Sequence, residues 1–221
     1  MLTKMQKIII KETEEYVYQL LKDDPSGHDW WHIQRVRNLA KNIAEKEQGT
    51  IDLFVCEMAA LLHDVADGKL NKTEAEGEKK VRNWLSRYSL TGKEKEEILK
   101  IILHMSYKGG TNKVVLSSIE GKIVQDADRL DAIGAIGIAR TMAYSGSKNR
   151  LIHDPSKEAR DNLTIEEYRS GEDTAIMHFY EKLLKLKDEM NTTVGKQLAE
   201  KRHAYMEDYL NEFYAEWDGE R

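Results

Sequence analysis

A chain of 221 residues with one cysteine, two prolines and 33% charged residues is long enough to bury a core without disulfides or a structural metal. It is also too poor in turn residues for a many-stranded β architecture. Its net charge of −5 excludes the broad basic face that general nucleic-acid binding needs, while leaving room for a local cationic pocket for a small anion.

The predicted elements, in chain order, are helices at 2–22, 27–48, 50–66, 71–88, 91–106, 117–143, 164–190 and 193–217. In the second, Ile33, Val36, Leu39, Ala40 and Ile43 recur at three- and four-residue steps, the period of one buried helical face. Pro25, Ser26 and Gly27 mark its entry, with Ser26 the candidate N-cap. The stretch from Asp52 to Ala66 is almost wholly apolar and is expected to be the most buried helix; its Cys56 has no partner cysteine and reads as a buried, inert thiol. No segment alternates as a half-exposed strand does, so the fold class is all-α. The chain reads as a single domain over 1–221: a core at 25–140, an irregular polar loop at 145–163 that is either a flap over the site or a solvated loop, and C-terminal helices at 164–217. No apolar run nears the roughly 20 residues that cross a bilayer, and the start of the chain lacks the features of a secretory signal. A soluble, cytoplasmic protein with no membrane partner is expected.

Chemistry concentrates in an ordered set: His32, then His63 followed at once by Asp64, then Asp126, Asp128 and Asp131. Polar groups inside apolar helices are costly unless they are paired or bind metal. At 100° per residue Asp126 points away from Asp128, whereas Asp128 and Asp131 share a face. The expected ligands are therefore His32, His63, Asp64 and Asp128. For each residue alone, the plain alternative is a hydrogen bond or buried ion pair between helices. Two imidazoles and two carboxylates suit one divalent ion, with Mn²⁺ favoured and Co²⁺, Ni²⁺, Fe²⁺, Zn²⁺ or Mg²⁺ as options. Zinc-finger spacings, a Walker A loop and a dinucleotide fingerprint are all missing.

The segments Trp30-Trp31-His32-Ile33-Gln34-Arg35, Ala59-Ala60-Leu61-Leu62-His63-Asp64-Val65-Ala66-Asp67 and Asp126-Ala127-Asp128-Arg129-Leu130-Asp131 resemble the HD-domain metal-dependent phosphohydrolases. The resemblance covers about residues 25–140 and points to small stand-alone bacterial members similar to nucleotide pyrophosphohydrolases. It implies an HD-domain helical bundle with additional C-terminal helices and a mononuclear site. The implied reaction is hydrolysis of nucleoside triphosphates to monophosphate and pyrophosphate by a metal-activated water.

Around the ligands, Asp67 is the first candidate for general base, at the position of the acidic candidate in similar HD enzymes, with Asp131 second. The plain alternative for Asp67 is a helix cap. Arg35, three residues after His32 on the same face, is expected to clamp a phosphate and stabilise charge as the P–O bond breaks; its alternative is a salt bridge to a ligand carboxylate. His28, Lys79, Lys80 and His104 are further substrate-binding candidates, each weighed against a surface or core role. The competing functions on the same fold are a nucleotidase, a cyclic-nucleotide phosphodiesterase or an alarmone hydrolase. Outside enzymes, the competitor is a helical module that senses a nucleotide or metal. The apolar and aromatic C-terminal helices are compatible with a homodimer.

Overall fold

Residues 2–23, 29–67, 70–106, 115–160 and 173–221 are described by the computed structural model. Among them the helices are α1 (Lys4–Leu21), α2 (Trp30–Lys46), α3 (Leu53–Leu62), α4 (Glu74–Ser86), α5 (Gly92–His104), α6 (Ile119–Asp131), α7 (Gly134–Ser147), α8 (Ala175–Glu181) and α9 (Thr193–Trp217), with 3-10 turns at His63–Ala66 and Leu183–Lys187. No strand occurs among the described residues, in line with the all-α expectation. The chain forms two compact units, Met1–Asp128 and Arg129–Arg221.

In the first unit α3 is the hub. Every residue from Phe54 to Leu62 is buried, as a helix apolar on all sides must be, and it packs against α1, α2 and α5. Cys56 is fully enclosed, and burial raises its thiol well above the ordinary range. The one charge in α3, Glu57, is 2% exposed. It is met by Arg37 of α2, whose Nε and guanidinium nitrogen lie 2.8 and 2.7 Å from Oε2; Arg37 also pairs with Glu14 of α1. On the other side of α1, Trp84 of α4 donates from Nε1 to the Thr13 hydroxyl at 2.9 Å and stacks on Tyr16 at 4.0 Å. Side-chain oxygens cap these helices at their entries: Thr3, Asp29, Asp52, Thr73 and Thr91 each accept a first-turn backbone N–H, which satisfies donors that a helix leaves open. Helix α2 begins at Trp30 with Asp29 as its cap. The expected start at 27 and the candidate cap Ser26 lie outside the described residues.

Two expected helices are divided in the structure. The first, predicted over 117–143, stops at Asp131 and restarts at Gly134. Gly134 takes φ +73°, and a Cβ on Gly137 would sit 2.2 Å from the carbonyl oxygen of Ala132. The reversal thus needs glycine at one position for its backbone angle and at the other for its close approach. The second, predicted over 164–190, is from residue 173 onward the short α8 followed by the 3-10 turn. Leu183 and Leu186 are both buried; residues three apart eclipse on one side of a 3-10 turn, so that geometry seats both where an α-helix would spread them. The last helix, expected over 193–217, has those bounds.

The polar stretch after α7 is tied down as far as it is described. Arg150 pairs with Asp173 at 2.9 Å, and Arg160 pairs with the enclosed Glu181 at 2.8 Å. The carbonyls of Leu151 and Ile152 accept the first N–H groups of α8. Beside this strap, burial, then the charges of Lys182 and Arg150, push His178 down to about 3. An imidazole held neutral in the folded state but free to protonate when unfolded loses stability for the fold as pH drops below its ordinary value near 6.5. The second unit is therefore expected to weaken progressively from about pH 6.5 toward pH 3, and His178→Gln to flatten that slope. Urea midpoints measured across the window check this, and equal slopes for both proteins would refute it.

Candidate metal centre

His32 enters on the first turn of α2, its backbone N–H held at 2.8 Å by the Asp29 carboxylate. The helix cap thus also fixes the residue that carries the imidazole. His63 and Asp64 follow directly on α3, where the α-helix tightens into the 3-10 turn His63–Ala66. Asp128 lies in the penultimate position but two of α6. Three separate elements thus bring together four side chains, all of them residues of the first unit.

The distances are short. The two imidazole Nε2 atoms are 3.2 Å apart. The Asp64 carboxylate approaches His32 Nε2 at 3.5 Å and His63 Nε2 at 3.3 Å, and Asp128 Oδ1 approaches them at 3.4 and 3.8 Å. Ligand atoms of His32, His63 and Asp128 all lie within 4.8 Å of one another. His32 is 1%, His63 7% and Asp64 4% exposed, whereas the Asp128 side chain is 31% exposed, so the cluster is walled on one side and reachable on the other. Asp126, which helical geometry set aside, is fully buried.

The protonation pattern suits a cation. His63 Nδ1 lies 2.8 Å from the carbonyl oxygen of Ala60. A carbonyl can only accept, so Nδ1 carries the proton and Nε2 presents a lone pair; an outer hydrogen bond of this kind commonly orients a metal-binding imidazole. Burial alone would raise the Asp128 carboxyl, but a hydrogen bond from His32 and the charges of His63 and His32, when these imidazoles are protonated, hold it well below the usual carboxylate range; a cation between neutral imidazoles would supply the same attraction. Imidazole lone pairs and two carboxylates converging at these distances form a donor set whose mutual repulsion a divalent ion relieves.

The other predicted residues are distributed as follows. Asp67 ends the 3-10 turn, half-buried, its N–H donating to the Asp64 carbonyl at 3.0 Å. Arg35 is half-buried on α2. Asp131 is 1% exposed, and its carboxylate accepts from Arg140 at 2.9 Å within the second unit, a structural use of that charge that the sequence did not announce. Lys79 and Lys80 are exposed on α4, and the Lys80 ammonium reaches the Leu70 carbonyl at 3.3 Å. His104 ends α5, half-buried, and lines a shallow depression of about 400 Å³ with Arg82, Lys93, Glu96 and Lys100. His28 lies outside the described residues. Sequence reasoning missed Asn71, Gly77 and Arg37. A lone glutamate in the apolar run of α3 was a signal for Arg37, since a buried charge calls for a partner; Asn71 and Gly77 had no signal of their own.

The HD domain family model matches residues 30–133, the span that holds all four clustered side chains. The chain is 40% identical over 208 residues to the uncharacterized protein YpgQ of Bacillus subtilis, covering 92% of each. A crystal structure of YpgQ in complex with ADP superposes with TM-score 0.74 at 37% identity, covering 95% of this chain and 98% of that one. An HD-superfamily hydrolase from Bacillus thuringiensis is 48% identical with TM-score 0.77, covering 97% and 99% of the two chains. A protein from Lactobacillus plantarum is 42% identical with TM-score 0.84, covering 99% of both. With a family match centred on the His and Asp cluster and relatives alike along nearly their whole length, the chain belongs to the HD-domain family.

Proposed function

We propose that this protein is a divalent-metal-dependent phosphohydrolase that cleaves nucleoside triphosphates to monophosphate and pyrophosphate. The observation that carries the reading is the convergence of His32, His63 and Asp128, with the Asp64 carboxylate against both imidazoles and the His63 tautomer set for a cation. These four residues would hold one ion, with Mn²⁺ favoured for its mixed nitrogen and oxygen donors. When bound, such an ion polarises a phosphoryl oxygen and makes hydroxide available at neutral pH. Asp67, one turn beyond the doublet, takes the proton of the attacking water. It is preferred over Asp131, whose carboxylate is engaged by Arg140. Arg35, on the same helix as His32, binds phosphate oxygens and balances the charge that grows on the leaving group. The ADP complex of YpgQ supports a nucleotide as the substrate class.

The test is a panel of ribo- and deoxyribonucleoside triphosphates with Mn²⁺, Mg²⁺, Co²⁺ and Zn²⁺, with products resolved by phosphorus NMR. Pyrophosphate and monophosphate are expected, fastest with Mn²⁺. Orthophosphate as the released product would replace this reaction with a nucleotidase, and silence across all metals and nucleotides would leave a sensing module.

A further inference from the structure

The turn that carries His63, Asp64 and Asp67 is braced from behind by residues outside the ligand set. Asn71, 9% exposed, donates from Nδ2 to two carbonyls of that turn, Val65 at 2.9 Å and Asp67 at 2.8 Å. Both amide hydrogens are thereby spent on the turn, and the Oδ1 atom has no hydrogen-bond partner among the described residues. The Asp67 carbonyl also accepts the Leu70 N–H at 3.0 Å, so the backbone of the proposed base is held from two sides. Independently, α4 presses on the same turn. A Cβ on Gly77 would meet the Ala66 oxygen at 2.4 Å and its Cα at 2.8 Å, a backbone contact that only glycine permits.

We infer that Asn71 is a positioning residue for the metal centre, with Gly77 supplying the close approach that keeps the turn against α4. The inference rests on the reading of His32, His63, Asp64 and Asp128 as metal ligands. A 3-10 turn has poorer hydrogen-bond geometry than an α-helix, so its side chains keep a fixed bearing only if its outward carbonyls are anchored. Asn71 anchors the carbonyl one residue after Asp64 and the carbonyl of Asp67 itself. Ligand and base therefore share one clamp, and Asn71 acts on both through their backbone.

The test is calorimetric titration of metal-free protein with Mn²⁺, paired with melting of the metal-free form and steady-state kinetics on the nucleotide that the panel selects. Asn71→Leu keeps the branched outline of the side chain and removes both donors. It is expected to lower Mn²⁺ affinity by about 10- to 100-fold, the range for losing an outer-shell partner, and to reduce kcat while changing KM little. Asn71→Gln, which keeps the amide, is expected to recover part of the affinity. Wild-type Mn²⁺ affinity in Asn71→Leu, with only the melting point changed, would overturn the inference, because a merely structural residue gives that pattern. If Asn71→Leu does not fold, Asn71→Ser is titrated instead; failure of both to fold would assign Asn71 to stability and equally overturn positioning. Absence of Mn²⁺ binding in the unsubstituted protein would overturn the ligand reading itself, and that arm involves no variant, so the two failures are told apart.

Discussion

Replacing His63 with alanine is expected to abolish divalent-metal binding and nucleotide hydrolysis while leaving the helical circular dichroism almost unchanged. Losing an outer-shell partner alone costs roughly 10- to 100-fold in affinity or activity, so losing an imidazole that contributes directly is expected to exceed about 100-fold. On the far side of the ring from the cluster, His63 Nδ1 bonds the Ala60 carbonyl at 2.8 Å, which lies inside a helix whose backbone ladder persists without it. The same variant gives a second readout. An ion that binds only the folded form stabilises it by about 2.7 kcal/mol at 100 times its dissociation constant. That corresponds to a rise in melting temperature of about 5–10 °C for a chain of this size. Mn²⁺ should therefore raise the melting temperature of the unsubstituted protein and leave that of His63→Ala where it was. Because metal competes with protons for the imidazoles, the rise should fade in acid. An equal rise in both proteins would show that the ion binds elsewhere and would refute the site.

The choice of carboxylate at the His and Asp cluster was legible in the chain because that constraint is local. Asp126 and Asp128 lie two apart on one helix, so helical geometry alone separates them, and in the structure it is Asp128 whose carboxylate meets the imidazoles. The hub helix was legible for the same kind of reason: a run of apolar residues with no polar face has nowhere to be but inside. What the sequence hid are features set by tertiary contact. The break near Gly134 depends on a carbonyl that a side chain at 137 would strike. The division of the expected helix after 164 turns on two leucines being buried three residues apart. Asn71 looked like one polar residue in a polar loop, and nothing near it in the sequence states that both carbonyls it serves belong to the turn carrying the ligands. Asp131 has a use that its place beside Asp128 did not announce: its carboxylate accepts from Arg140.

Arg37→Met is expected to be the most destabilising single change outside the metal centre, at about 3–5 kcal/mol, because it strands a buried carboxylate. Glu57 sits 2% exposed in the hub helix and receives both the Nε and a terminal nitrogen of Arg37. Methionine fills much of the arginine's volume but leaves that charge enclosed with no counter-ion. Against the roughly 5–15 kcal/mol by which domains are stable, the loss is a large fraction. Glu57→Leu in the same background should return most of it, since a hydrophobic pair of similar volume is often as stable as the ion pair it replaces. The double-mutant cycle by urea unfolding then isolates a coupling energy that neither single variant reports. The location makes the result bear on function as well. Arg37 lies on the helix that carries His32 in its first turn, and Glu57 on the helix that leads into His63, so the ion pair is expected to fix how these two helices slide against each other. A hydrophobic replacement restores stability without restoring that register. The double variant is therefore expected to melt near the unsubstituted protein yet bind Mn²⁺ more weakly. Full recovery of both properties would mean that packing alone aligns the two histidines.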